Sequence, residues 1–183
     1  MYGINDYVMC GESGVCQIIE IGTPPIGGID KGRQYYFLKP IKGKTNVIYS
    51  PVDMEKNSLR YVIEKKDAKK LLEEIDELEI TWEDKDNLRK EKYKQILSKY
   101  DCHDWLGMIK TVYNKKKEFM KKGKKLHSID MIYLSKLESL LYGELAFTME
   151  MTKEEVTQMV IEKFEKDCCL RTLAYFVCTL YVW

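Results

Sequence analysis

The chain has 183 residues and sets 30 Lys and Arg against 29 Asp and Glu, a net charge of +1. Hydrophobic residues make up 45% and charged residues 32%, so the chain can bury a core and is not disordered by composition. The charge balance excludes a globally basic nucleic-acid binder but not a locally basic one.

Residues 1–55 hold all four prolines (Pro24, Pro25, Pro40, Pro51) and most of the glycines. Gly and Pro punctuate turns. Short apolar or alternating segments at 6–10, 15–21, 34–39 and 46–49 lie between them, which predicts four or five short strands with turns at 11–14, 24–32 and 41–44. So many strands in so few residues predict a small, strongly bent sheet or barrel. From Asn57 onward there is no proline, the only glycines are Gly107, Gly123 and Gly143, and helical periodicity takes over. Asp67 is expected to cap a helix to about Leu78, and Asp84 or Asp86 to open a second to about Tyr100. Asp101 should cap a third, ending near Gly123 with lysines in its last turn, where they complement the helix dipole. Ser128 should cap a fourth, with Leu134, Leu137, Leu141 and Leu145 on one face. Thr152 and Glu155 form a capping box for a fifth. The fold class is therefore α+β: a β domain over 1–56, an α-helical domain over 57–167, and an apolar tail over 168–183 whose bland reading is an extra packed element.

No apolar run reaches the ~18 residues of a transmembrane helix, and the first residues lack a charged region followed by an apolar one. A cytoplasmic protein without membrane association is expected, with its six cysteines reduced. Chemistry-bearing motifs are missing. Gly11-Glu12-Ser13-Gly14 lacks the Lys-Ser/Thr of a phosphate loop. Cys102-His103 is contiguous, and Cys10 and Cys16 have no second pair at zinc-ligand spacing. No catalytic residue, metal or cofactor is expected, and the chain reads as a non-enzyme.

Three features remain. Residues 110–125 carry eight lysines against Glu118 alone, net +7; this is either a patch for a phosphate backbone or a solvated helix end. Trp82, followed by Arg89, Lys90, Lys92 and Lys94, is either a wedge for a DNA step or a ring covering a seam. The apolar strand Asn46, Val47, Ile48 and Tyr49 is either a free edge that pairs with a partner's sheet or an interior strand.

In chain order, residues 4–8 (INDYV), 14–21 (GVCQIIEI), 34–38 (QYYFL), Pro51-Val52 and 58–60 (SLR) resemble the opening module of the CarD/CdnL family of bacterial transcription regulators. Residues 109–113 (IKTVY), 122–126 (KGKKL) and 140–146 (LLYGELA) fall in the same family's order. The resemblance covers about residues 2–166. It departs at Asn5, where the family usually has Gly, and near Pro24 and Tyr49, where some members carry polymerase-contacting arginines. The resemblance implies a Tudor-like or SH3-like barrel that binds the β subunit of RNA polymerase, and a helical domain that contacts promoter DNA and stabilises the open complex. On that reading Asn46, Val47, Ile48 and Tyr49 meet the polymerase, through backbone pairing and apolar area rather than salt bridges. Trp82, Arg89, Lys90, Lys121, Lys122, Lys124 and Lys125 meet DNA, with Trp82 as the wedge. The protein is expected to act as a monomer. The competing reading is an RNA polymerase adaptor that makes no direct DNA contact.

Overall fold

A computed structural model describes residues 1–25, 27, 32–42, 46–53, 59–78 and 80–180, with side chains through residue 166. The chain divides into two compact units, Met1–Glu64 and Lys65–Trp183.

The first unit is one antiparallel sheet. Its strands are β1 (Tyr7–Cys10), β2 (Val15–Gly22), β3 (Tyr35–Pro40), β4 (Ile48–Pro51) and β5 (Leu59–Tyr61), in the order β4-β3-β2-β1-β5. Gly14, with φ of +72°, turns the chain from β1 into β2. Asn5 sits at φ of +73°, a region that glycine enters freely and asparagine tolerates better than most residues. Alternation places Val8, Cys16, Ile18, Tyr36 and Leu38 in one buried cluster, with Tyr2, Ile48, Val52 and Leu59 against it. A bulge between Ile18 and Glu20 bends β2 and resets its register on β3.

The expected closed barrel is corrected: the sheet is open. Closure needs a ladder between β4 and β5, and none joins them among the described residues. These two edge strands are only four and three residues long. The last strand, β5, lies beyond residue 56 and pairs with β1 through Val8 and Tyr61.

The second unit is helical: α1 (Lys65–Glu73) with a 3₁₀ turn at Glu74–Asp76, α2 (Asp86–Lys99), α3 (Cys102–Lys121), α4 (Ser128–Met149) and α5 (Lys153–Leu180). Asp101 caps α3, its carboxylate accepting the Asp104 N–H at 2.9 Å. At the other end Gly123, with φ of +66°, closes α3. The Lys124 N–H donates to the Phe119 carbonyl and the Gly123 N–H to the Met120 carbonyl. The capping box of α5 is present: the Thr152 hydroxyl accepts the Glu155 N–H at 3.2 Å and Glu155 accepts the Thr152 N–H at 2.7 Å. Two starts shift by a residue or more. Ser128 is the first helical residue of α4 behind His127, and Asp67 lies inside the first turn of α1.

Helix α4 is the hub of this unit and packs against α1, α2, α3 and α5. Leu134, Leu137, Leu141 and Leu145 are all buried, as their spacing predicts. So are Leu140, Tyr142 and Ala146 on other faces, as a helix surrounded by neighbours requires. The backbone of the apolar tail continues α5 to Leu180. Its side chains, and residues 181–183, lie outside the described residues.

Asp101→Ala removes the side-chain cap of α3 and leaves the Asp104 N–H to solvent. It is expected to lower the unfolding free energy by about 1 kcal/mol, read as a lower urea midpoint with an unchanged m-value.

Candidate nucleic-acid and protein interfaces

Each unit places one set of the expected residues. In the sheet unit, β4 is an edge strand rather than an interior one. The Val52 N–H donates to the Gln34 carbonyl at 2.9 Å, which fixes the phase of the β3–β4 ladder. By the antiparallel alternation, Ser50 and Ile48 then exchange hydrogen bonds with Tyr36 and Leu38, and Tyr49 and Pro51 direct their backbone groups away from β3. Pro51 has no N–H to offer, so Tyr49 is the donor that this edge presents within β4. Tyr49 and Phe37 form a pair without mutual hydrogen bonds, whose side chains approach more closely; their rings meet edge-on at 4.9 Å. Asn46 is exposed and Val47 half-buried, while Ile48 turns inward onto the sheet core.

In the helical unit, the segment before α2 is pinned to its surroundings. The missing Cβ of Gly107 lets Ile80 approach α3; a Cβ there would stand 3.2 Å from the Ile80 side chain. The Thr111 hydroxyl donates to the Ile80 carbonyl at 3.1 Å and the Lys92 ammonium to the Thr81 carbonyl. Lys110, counted in the basic block, is 3% exposed and donates to the Ile75 and Asp76 carbonyls at the end of the 3₁₀ turn.

Trp82 follows on this pinned segment. It is half-buried, and its ring partners lie within the helical unit. Its ring stands over the Arg89 guanidinium at 4.5 Å and meets Phe119 edge-on at 6.4 Å, with the Lys115 ammonium 5.9 Å away. Arg89 is 3% exposed, and every one of its five N–H donors has a partner. It reaches Asp130 at 2.6 and 3.2 Å, Asp86 at 2.6 Å, and the Glu83 and Asp84 carbonyls at 2.8 and 3.1 Å. A guanidinium so engaged has no donor left for a phosphate, which counts against the expected DNA contact of Arg89; it packs instead on the Trp82 ring. Asp130 is fully buried at the start of α4 and also accepts the Tyr93 hydroxyl at 3.0 Å. Asp86 meets the His127 ring at 2.7 Å, and that contact, then Arg89, holds its carboxyl below the usual range.

The lysine block is divided by its own helix. Glu118 takes Lys122 at 2.6 Å and Lys115 at 2.9 Å, and these two ammoniums lower its carboxyl to about 2. Lys117 faces Glu165 at 3.6 Å and the Tyr113 ring at 4.8 Å. Lys116, Lys121, Lys124 and Lys125 are exposed and make no ion pair among the described residues, and Lys90 is exposed on α2. Of the lysines in the block, it is Lys115 whose ammonium the structure sets near the Trp82 ring. Sequence reasoning missed Asp130 and Asn114. Neither belongs to a motif; only the fold sets one under Arg89 and the other beside Trp82.

Among the described residues no group of His, Cys, Asp or Glu is arranged to hold a metal ion, and no helix is long and apolar enough to cross a membrane. Residues 2–63 match the family model of the CarD-like/TRCF RID domain. No curated protein shows a significant match to the chain.

Asp130→Asn removes the buried counter-charge of Arg89 and leaves it Asp86 alone, and is expected to destabilise the protein by roughly 3 kcal/mol in urea unfolding. Glu118 keeps its charge until the pH falls through about 2, since a depressed carboxyl holds its ion pairs above the ordinary glutamate range and loses them only below it. It therefore engages both lysines throughout the physiological range and offsets one of their two charges. Glu118→Gln is expected to free both and to steepen the slope of log affinity for duplex DNA against log salt by up to about 1.8.

Proposed function

We propose, from the premise that residues 2–63 make this chain a CarD-like/TRCF RID protein and so an RNA-polymerase-interacting, transcription-related one, that it docks on the polymerase β subunit through the edge of β4. Its helical unit then holds promoter DNA and stabilises the open complex.

The observation that carries the docking reading is the open edge of β4 inside the matched domain. An edge strand is a template for an added strand, with main-chain hydrogen bonds supplying affinity and alternate side chains supplying specificity. Tyr49 presents the N–H, and the Phe37–Tyr49 pair adds aromatic surface beside it. No arginine stands at Tyr49, so backbone pairing and apolar area replace salt bridges there.

The DNA reading rests on Lys121, Lys124 and Lys125, exposed beyond the edge contact of Trp82 with Phe119. Their contacts go to phosphate and carry no base information. So few contacts bind free DNA weakly. Tethering on polymerase raises the local concentration of promoter DNA, so the same few contacts suffice. Trp82, held on Arg89, offers its uncovered surface at the end of this lysine track.

The adaptor reading without DNA contact is favoured by a separate observation. Glu118, Glu165 and the carbonyls of Ile75 and Asp76 occupy Lys115, Lys122, Lys117 and Lys110, which halves the available charge of the block.

Tyr49→Pro tests the docking surface. It deletes an N–H directed away from β3 and leaves the β3–β4 ladder whole, as Pro51 already does two residues on. Capture of the polymerase β subunit is expected to fall at least tenfold with little change in melting temperature. Normal capture by a folded Tyr49→Pro protein would remove β4 as the docking edge. On the DNA side, charge reversal at Lys121, Lys124 and Lys125 is expected to flatten the salt slope by about 0.9 for each phosphate no longer neutralised. An unchanged slope selects the adaptor reading.

A further inference from the structure

We infer that Cys10 and Cys16 form a thiol pair that low-molecular-weight disulfides oxidise reversibly to an internal Cys10–Cys16 disulfide. The two residues lie on neighbouring strands, at the end of β1 and near the start of β2. Val8 pairs with Cys16 in the β1–β2 ladder, and the Cys10 N–H donates to the Gly14 carbonyl at 2.8 Å. Cys10 and Cys16 are therefore diagonal neighbours whose side chains share one face of the sheet. Both pack on the same core: Cys16 within the cluster of Val8, Ile18, Tyr36 and Leu38, and Cys10 against it. Gly14, the residue facing Cys10, has no side chain to stand between the two thiols.

The two thiols are hydrogen-bonded to each other, and their surroundings give them different roles. Cys10 is half-buried and open to a small reagent, whereas Cys16 is 0% exposed. The Cys16 S–H donates to the Cys10 sulfur. That bond, against the smaller opposing effect of burial, holds the Cys10 thiol below the usual range, while the same bond and burial push Cys16 up. The thiolate is the form that attacks a disulfide, so Cys10 is the point of entry. A low-titrating, accessible thiol beside a second thiol is the arrangement that undergoes reversible oxidation. Cys102, buried against the Glu144 carboxylate, is the contrasting thiol.

Oxidation proceeds by two exchanges. The Cys10 thiolate attacks one sulfur of the small disulfide, forms a mixed disulfide and expels the first thiolate. Cys16 gives up its proton to solvent, and its sulfur attacks the Cys10 sulfur, which forms the internal bond and expels the second thiolate. The thiol pair loses two electrons and two protons, and the small disulfide gains them and becomes two thiols. The product suits the site, because a disulfide has no polar hydrogen to satisfy in an apolar cluster. It is also open to reduction. Diagonal neighbours stand about 7–8 Å apart, at the limit of what a disulfide spans without backbone movement. The ring it closes, residues 10–16, is short, which limits the entropy it takes from the unfolded chain. A bond with so little to hold it is the labile kind.

The test treats the reduced full chain with excess oxidised glutathione, blocks the remaining thiols with iodoacetamide and maps the tryptic peptides by mass spectrometry. No Lys or Arg precedes Lys31, so trypsin leaves both cysteines in one peptide. That peptide is expected to carry no alkyl group and to be lighter by two hydrogens, and dithiothreitol is expected to return it to the doubly alkylated form. It should appear about tenfold faster than Cys102 acquires glutathione, because access and thiolate character both favour Cys10. Cys16→Ser is expected to stop with glutathione on Cys10, and Cys10→Ser to leave Cys16 unmodified. A peptide that stays doubly alkylated overturns the inference, as does glutathione that remains on Cys10 of the unaltered chain. Cys10 joined to another cysteine or to a second chain overturns it too. So does a rate no greater than that of Cys102, or a Cys10→Ser protein whose Cys16 takes up glutathione as fast as the unaltered chain reacts.

Discussion

The buried ion pair between Arg89 and Asp130 ties together the segment that carries Trp82, α2 and α4. Arg89 comes from α2, Asp130 from the first turn of α4, and the Glu83 and Asp84 carbonyls from the segment that carries Trp82. Burying two charges is costly unless each finds full compensation. Here all five guanidinium donors are satisfied. Asp130 takes two of them, the Tyr93 hydroxyl adds a third bond, and the positive end of the α4 dipole lies beside it. The same compensation fixes geometry: a planar, fully bonded cation cannot rotate, and the indole stacked on it inherits its orientation.

Periodicity and turn chemistry were enough to read most of the scaffold. Strands β1 to β4 fall within two residues of their expected positions. The caps at Asp101 and Thr152 and the glycine stop at Gly123 are local events, written in three or four consecutive residues. What was illegible depends on distance in the chain. Strand β5 is three residues long and has no pattern of its own; its pairing with β1 is a tertiary fact. Closure of the sheet is likewise decided by two short strands at opposite ends of the sheet order.

The two proposed surfaces divide in the same way. That 46–49 is apolar is visible in the sequence, but its place at the edge and the outward N–H of Tyr49 come from sheet order and ladder phase. The net +7 of residues 110–125 is visible too. The engagement of Lys117 by Glu165 and of Lys110 by two main-chain carbonyls is not, because Lys110 reaches backward by 35 residues and Lys117 reaches forward onto α5. Arg89 is the sharpest case. A cation on the helix that follows a tryptophan resembles a phosphate ligand until its partner, 41 residues away, is known.

Pro51 on the rim of the sheet has a consequence for the lifetime of any complex formed there. An unbroken edge can add strand upon strand, and proteins with such edges aggregate. With proline in the same phase as Tyr49, the rim lacks one of the outward N–H groups that an added strand would use. Few main-chain bonds also mean rapid dissociation, because differences in affinity among related complexes lie mostly in the off-rate. For any strand added at this edge, the missing donor at Pro51 shortens the bonded run, and release is built into the backbone itself.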